Sequence, residues 1–180
     1  MKKIILSAFT LVTFGFANAQ DSNGGHTSKG KFLIEANTGF GAITAANTSL
    51  GYSSQGDVKQ MSIGAEGGYF VMDNLAVKLG LGYNSEDNGT TSESGFAYKI
   101  GAKYYVMGNI PVQLDYTGAS GDSYKVGSET PSYVGVQAGY AIFLGQNVSI
   151  EPGVRYNSSL NDKYTKDGQF QLQVGFALHF

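Results

Sequence analysis

The chain has 180 residues, of which 14% are charged, with a formal net charge of −2 and no cysteine. That length fits one domain, and the charge content lies well below the roughly one quarter of ordinary soluble domains. The lack of cysteine excludes disulfides, thiolate metal sites and a cysteine nucleophile; the small negative charge excludes non-specific nucleic-acid binding, which needs a basic surface.

The first residues have the order of a secretory signal peptide: Lys2 and Lys3, an apolar run from Ile4 to Phe16, then Ala17-Asn18-Ala19. Residues 1–19 are expected to be removed by cleavage after Ala19. The apolar run is too short to cross a bilayer as a helix. Residues 20–29 are polar and contain glycine, and are expected to form a flexible lead-in. Residues 30–180 make up the expected folded domain.

Beyond that point the dominant pattern is alternation, the period of a strand with two unlike faces. The first expected strand runs from Lys31 to Ala42, with Phe32, Ile34, Ala36, Thr38 and Phe40 opposite Leu33, Glu35, Asn37, Gly39 and Gly41. A polar loop, Ile43–Asp57, follows. The second strand covers Val58 to Val71, and Met72-Asp73-Asn74 is a tight turn of suitable residues. The third strand begins at Leu75, and Ser85–Ser94 is a second polar loop. The fourth runs to Val106, Met107-Gly108-Asn109 turns, and the fifth starts at Ile110. Pro111 stands at its beginning, where a missing donor does least harm. Gly118–Pro131 is the third loop. The sixth strand contains Val134 to Ile142, Leu144 to Asn147 is short, and the seventh runs from Val148 to Asn157. Ser158–Gly168 is the fourth loop. The eighth strand, Gln169 to Phe180, alternates without a break: Phe170, Leu172, Val174, Phe176, Leu178 and Phe180 against Gln169, Gln171, Gln173, Gly175, Ala177 and His179.

The connections alternate long and short, the layout of an outer-membrane barrel with short periplasmic turns and longer external loops. The expected fold is all-β: an eight-stranded antiparallel up-and-down transmembrane β-barrel. Three features put the apolar face outward. Tyrosines stand near strand ends, at Tyr69, Tyr83, Tyr104, Tyr116 and Tyr156, where aromatic girdles belong. The other face is rich in glycine, as a narrow interior requires. Its charges balance: Glu35, Glu66, Asp115 and Glu151 against Lys78, Lys99, Lys103 and Arg155. A water-poor interior needs such pairing, because an unpaired buried charge is expensive. These eight residues are the expected lumen charge network.

The signal peptide, the amphipathic strands, the hairpin Gly64-Ala65-Glu66-Gly67-Gly68-Tyr69-Phe70 with Met72-Asp73-Asn74-Leu75, and the ending Val174-Gly175-Phe176-Ala177-Leu178-His179-Phe180 resemble the small outer-membrane β-barrel proteins of Gram-negative bacteria. The likeness is to the Bacteroidetes-type barrel domain and to OmpA/OmpX-like barrels. In that family a terminal aromatic on an amphipathic strand is read by the barrel-assembly machinery. The resemblance therefore implies an assembly signal at Phe176, Leu178 and Phe180. It also implies outer-membrane lipid as surroundings, with the assembly machinery and periplasmic chaperones as partners during biogenesis.

Chemistry is sparse. His26 and His179 are the two histidines, and neither lies beside a recognisable nucleophile set. Loop carboxylates such as Glu86, Asp87, Asp122 and Asp162 lack the spacing of a calcium loop. No enzymatic activity, cofactor, metal site or nucleic-acid partner is expected. The leading expectation is a barrel with a filled polar lumen, located in the outer membrane, with a structural or surface-interaction role through the four loops and an extracellular ligand as one option. Two other readings use the same alternation: a secreted soluble lipocalin-like binding barrel, and a membrane-barrel lipid-modifying enzyme. Bulk solute flow is not expected, since water-filled channels belong to barrels of about 16 strands.

Overall fold

The computed structural model describes residues 25–40 and 50–180. The expected signal peptide, residues 20–24 of the lead-in, positions 41–42 at the end of the first expected strand and positions 43–49 of the first loop lie outside the described residues. The elements are β1 (Phe32–Phe40), β2 (Leu50–Gln55), β3 (Val58–Met72), β4 (Leu75–Asp87), β5 (Ser92–Val106), β6 (Ile110–Gly121), β7 (Ser132–Gly139), β8 (Ile142–Phe143), β9 (Val148–Ser159) and β10 (Gln169–His179), with one 3-10 turn at Asp122–Tyr124.

Among the described residues all pairings are antiparallel, and the sheet closes because β1 pairs with both β10 and β3. The ten strands form eight staves. β1 pairs with the lower half of β3, Phe32 opposite Tyr69, and β2 with its upper half, Leu50 opposite Ile63. β7 and β8 likewise share a stave along β9, with one register on both sides of the gap: Gly139 faces Gly153 and Ile142 faces Ile150. The ladder lapses where Tyr140 stands opposite Pro152. Tyr140 N–H donates to the Pro152 carbonyl at 3.0 Å, but proline has no N–H to return the bond.

The strands are staggered around the barrel. Stepping across paired residues from Leu33 leads through Gly68, Lys78, Gly101, Asp115, Gly135 and Asn157 to Gln169. Leu33 itself pairs with His179, ten positions beyond Gln169 on the same strand. A stagger of this size tilts the strands by roughly 35–45°. The circuit also alternates glycine with a long side chain through most of its length, which fits large groups into a narrow bore.

Burial is inverted relative to a soluble domain. Exposed outward residues include Val77, Leu79, Leu81, Ile100, Leu114, Val136, Val154, Leu172 and Phe176, while the charged residues of the same strands are buried. Aromatics rim this belt at both ends. Phe32 stacks near Tyr69 and Phe180 at the short-turn end, with ring centroids 5.1 and 6.1 Å away; Tyr83 meets Phe96 at 5.0 Å and Tyr98 meets Tyr116 at 6.1 Å at the other end.

The loop end departs from the sequence expectation. The loop expected at Ile43–Asp57 contains β2, joined to β3 by a turn at Gly56, whose φ is +61°. The loop expected at Ser85–Ser94 shrinks to residues 88–91, because β4 and β5 continue to Asp87 and from Ser92. β6 and β9 also run past Thr117 and Asn157. So two of the four expected long loops are hairpin extensions. The physical reason is that alternation comes from having one apolar and one enclosed face. Past the aromatic rim both faces of β2 and upper β3 are exposed, so polar residues occupy both and the period-2 signal ends while backbone pairing continues.

At the short-turn end the connections are as tight as expected. Asn74 adopts a left-handed φ of 66°, which asparagine tolerates. The lead-in differs from its expectation: residues 25–31 pack across the barrel base instead of trailing from it. Gly30 N–H and Phe70 N–H exchange bonds with Phe70 O and Lys31 O at 2.8 and 2.9 Å.

Candidate functional site

The candidate site is the barrel interior. Parity places the charged residues: β3 points its even positions inward, β4 its even positions and β5 its odd ones. All eight residues of the sequence-derived network are buried. Glu35 and Glu66 stand directly opposite each other on β1 and β3. Like charges in that position repel. Lys78 lies between them, 2.7 Å from Glu35 Oε2 and 2.8 Å from Glu66 Oε2, and its ammonium also donates to Gln113 Oε1 at 2.8 Å. Lys103 donates to Glu35 at 2.8 Å and pairs with Glu151; Lys99 pairs with Glu66. The result is an alternating chain: Glu151, Lys103, Glu35, Lys78, Glu66, Lys99.

Asp115 and Arg155 form the remaining pair. Arg155 donates to both carboxylate oxygens, Nη2 to Oδ1 at 2.5 Å and Nη1 to Oδ2 at 2.7 Å, and Nε donates to Asn157 Oδ1 at 2.8 Å. Such a bidentate fork is the strong form of a charge-assisted bond. Gln113 joins the two parts, donating to Asp115 Oδ2 at 2.6 Å while accepting from Lys78.

The Arg155–Asp115 and Lys99–Glu66 pairs each reach across an intervening stave, which is possible because a glycine stands there. A Cβ on Gly135 would lie 2.0 Å from Arg155 Nη2, and one on Gly80 would lie 3.0 Å from Glu66 Cγ and 3.2 Å from Lys99 Cβ. Each glycine leaves the opening through which one charged side chain reaches its counter-ion two staves away. Sequence reading marked the charges but missed Gln113, Asn157, Tyr105 and Ser149. The available signal was their parity, which puts them on the same face.

The base of the interior is aromatic. Phe70, Tyr105 and His179 are fully buried together, and Phe143 packs on them. Tyr105 OH donates to Glu151 Oε1 at 2.8 Å, and Ser149 Oγ donates to the same oxygen at 2.9 Å while lying 3.0 Å from His179 Nε2. The serine proton thus points at Glu151 and not at the imidazole. This is a structural relay rather than a serine activated by a base.

At the loop end the 3-10 turn folds inward. Tyr124 packs on Ala97 and Ala119, and Ser123 Oγ donates to Asn84 Oδ1 at 2.8 Å. Asn161 ties the two remaining loops together, donating to Glu129 Oε2 and the Thr130 carbonyl, both at 3.0 Å. Asp122 and Lys125 pair at 2.8 Å in solvent; the hydrogen bond from Lys125 and then its charge hold the Asp122 carboxyl below its usual range. Among the described residues no cluster of His, Cys, Asp and Glu could hold a metal ion.

Of the expected assembly signal, Phe176 and Leu178 lie on the outer face of β10 and Phe180 directly follows its last residue. Phe176 and Leu178 face Ala36 and Ile34 across the closing seam, and Phe180 exchanges backbone bonds with Phe32 at 2.6 and 3.0 Å.

No protein-family model and no curated protein matches the chain. Solved structures with a similar arrangement include the N-terminal β-barrel domain of Pseudomonas aeruginosa OprF, at 13% identity and TM-score 0.47, covering 84% of this chain and 98% of that one. The Yersinia pestis outer membrane protein Ail gives 12% identity, TM-score 0.48 and coverage of 84% and 100%. Neisserial surface protein A gives 20%, 0.45, and 84% and 100%. At these identities and scores nothing about activity, ligand or partner carries over.

Proposed function

We propose that the protein is a small integral outer-membrane barrel with a filled lumen, whose role is structural or lies in contacts made at its loop end. The observation that supports this reading is the inversion of burial: Leu79 is 55% exposed on the belt, whereas Arg155 is 1% exposed inside. In water an exposed apolar band of this extent invites aggregation; in a bilayer it is the surface that faces lipid, and every backbone group is satisfied by a closed sheet. The soluble binding barrel fits less well, because its cavity would have to accept an apolar ligand among eight ion-paired side chains. A lipid-modifying activity lacks support from Ser149 and His179, which are both wholly buried.

The hairpin extensions of β2, β3, β4 and β5 carry polar side chains past the aromatic rim, and these, with the loops around Glu129 and Asn161, are the surface offered to a partner. Membrane fractionation with heat-modifiable gel mobility tests the placement. Recovery in the outer membrane, with faster migration before boiling, is expected; release without detergent would refute it. Planar-bilayer recording tests the filled lumen, and stable large channels from pure protein would count against it.

A further inference from the structure

The short turns at the barrel base are linked to one another. Each ends in asparagine, and each asparagine carbonyl accepts a bond from the base of the next stave: Asn74 O from Tyr105 N–H at 2.8 Å, Asn109 O from Ala141 N–H at 2.7 Å, and Asn147 O from His179 N–H at 2.8 Å. Three hairpins supply three such links. An eight-stave barrel has a fourth position at this end, the closing seam, where no hairpin exists because the first and last staves meet there. Residues 25–31 occupy it. Lys31, which precedes β1 as each asparagine precedes its strand, accepts from Phe70 N–H at 2.9 Å and so makes the fourth link of the same kind, and Thr27 O adds a bond from Asn74 N–H at 2.8 Å.

The segment is also anchored on both sides of the seam. Toward the first hairpin, Thr27 Oγ1 donates to Asn74 Oδ1 at 2.5 Å and Lys29 N–H donates to Asp73 Oδ1 at 2.8 Å. Toward the last hairpin, the His26 ring stacks on Phe143 with centroids 4.2 Å apart, and its Nδ1 donates to the Gln146 carbonyl at 2.6 Å. Phe143 in turn packs against His179. Thr27 is buried by these contacts.

We propose that residues 25–31 are a latch: they replace the missing fourth turn, complete the ring of bonds from each turn to the next stave and hold the β1–β10 seam shut from below. The latch can dock only when the first and last hairpins are both in place, since its anchors sit one on each. Its effect is therefore on the opening of a finished barrel, and this holds whichever surface the loop end offers.

The test uses the full chain, refolded in detergent micelles, and two variants. In one, residues 25–29 are replaced by a Gly-Ser stretch of equal length; the other is His26→Ala with Thr27→Ala. Unfolding rate is followed by gel mobility, and amide exchange is read residue by residue. Losing the latch takes several hydrogen bonds' worth of restraint from the native state, so unfolding should accelerate by about tenfold or more in the Gly-Ser variant. Exchange should rise at Asn74, Phe70 and His179 while Leu114, on the far wall, stays protected. A synthetic peptide of residues 20–31 added in trans should slow unfolding again. Unfolding within about twofold of the parent, exchange that rises equally on all staves, or no rescue by the peptide would each overturn the proposal. If the Gly-Ser variant does not reach the compact form, the double-alanine variant is judged by the same rate and exchange criteria.

Discussion

The Asp115–Arg155 pair offers the sharpest measurement of what the interior contributes. Arg155→Met leaves the Asp115 carboxylate buried with only Gln113 at 2.6 Å and Thr117 at 3.2 Å as donors. Breaking a buried pair in this way costs about 3–5 kcal/mol. Asp115→Asn leaves the guanidinium unpaired and should cost a similar amount. The double variant removes both charges, and the amide oxygen at position 115 can still accept from Gln113, so its loss should be about 1–2 kcal/mol. The coupling between the two sites is then at least about 4 kcal/mol. It is measured by equilibrium denaturation of the four proteins in micelles, with gel mobility as the readout of the closed form. A coupling below about 1 kcal/mol, the range of exposed pairs, would refute the dry interior. So would a marked fall in coupling in 1 M salt, since a buried pair is little screened.

Three further outcomes are expected. Gly135→Val places carbon 2.0 Å from Arg155 Nη2 and should destabilise by about 1–3 kcal/mol through overpacking, while Gly145→Ala, with nothing within 4 Å of its added carbon, should be neutral by the same denaturation assay. Leu79→Arg, at the middle of the outer belt, should lose about 2–4 kcal/mol in a bilayer and lower the yield of membrane-inserted protein; unchanged insertion would contradict the lipid-facing assignment. Deleting Phe180 should impair insertion while leaving export intact, measured by fractionation of periplasm and outer membrane.

The parts of the fold legible in the sequence are those where a physical constraint repeats every two residues. β10 shows this best, because lipid on one side and a packed bore on the other leave no position undetermined from Phe170 to Leu178. Parity likewise puts Glu35 and Lys78 on one face. It does not say that they touch. That depends on the ten-residue stagger, which is a property of closure and leaves no mark on any single strand. β2 was invisible for the opposite reason: Tyr52, Ser53 and Ser54 are exposed on both faces, so pairing there is recorded only by backbone bonds. The gap between β7 and β8 is written in Pro152, but its effect appears on the neighbouring stave, at a place the proline's own alternation does not reveal. The docking of residues 25–31 was hidden because its contacts are mostly to backbone atoms, which any sequence possesses.

The openings left by glycine have a consequence for how this interior can change over generations. Gly135 has no function of its own; it is the space occupied by the Arg155 guanidinium. A side chain can be gained at position 135 only after the one at 155 has shortened, and once 155 has shortened Asp115 loses its counter-ion. The three positions sit on three different staves and are far apart in the chain, yet they form one heritable unit. Descendants of this protein should carry all three together or none, with an apolar or amide set in their place. The order of substitution matters as well: a path that begins at the glycine passes through an overpacked interior, and one that begins at either charge passes through an unpaired buried ion.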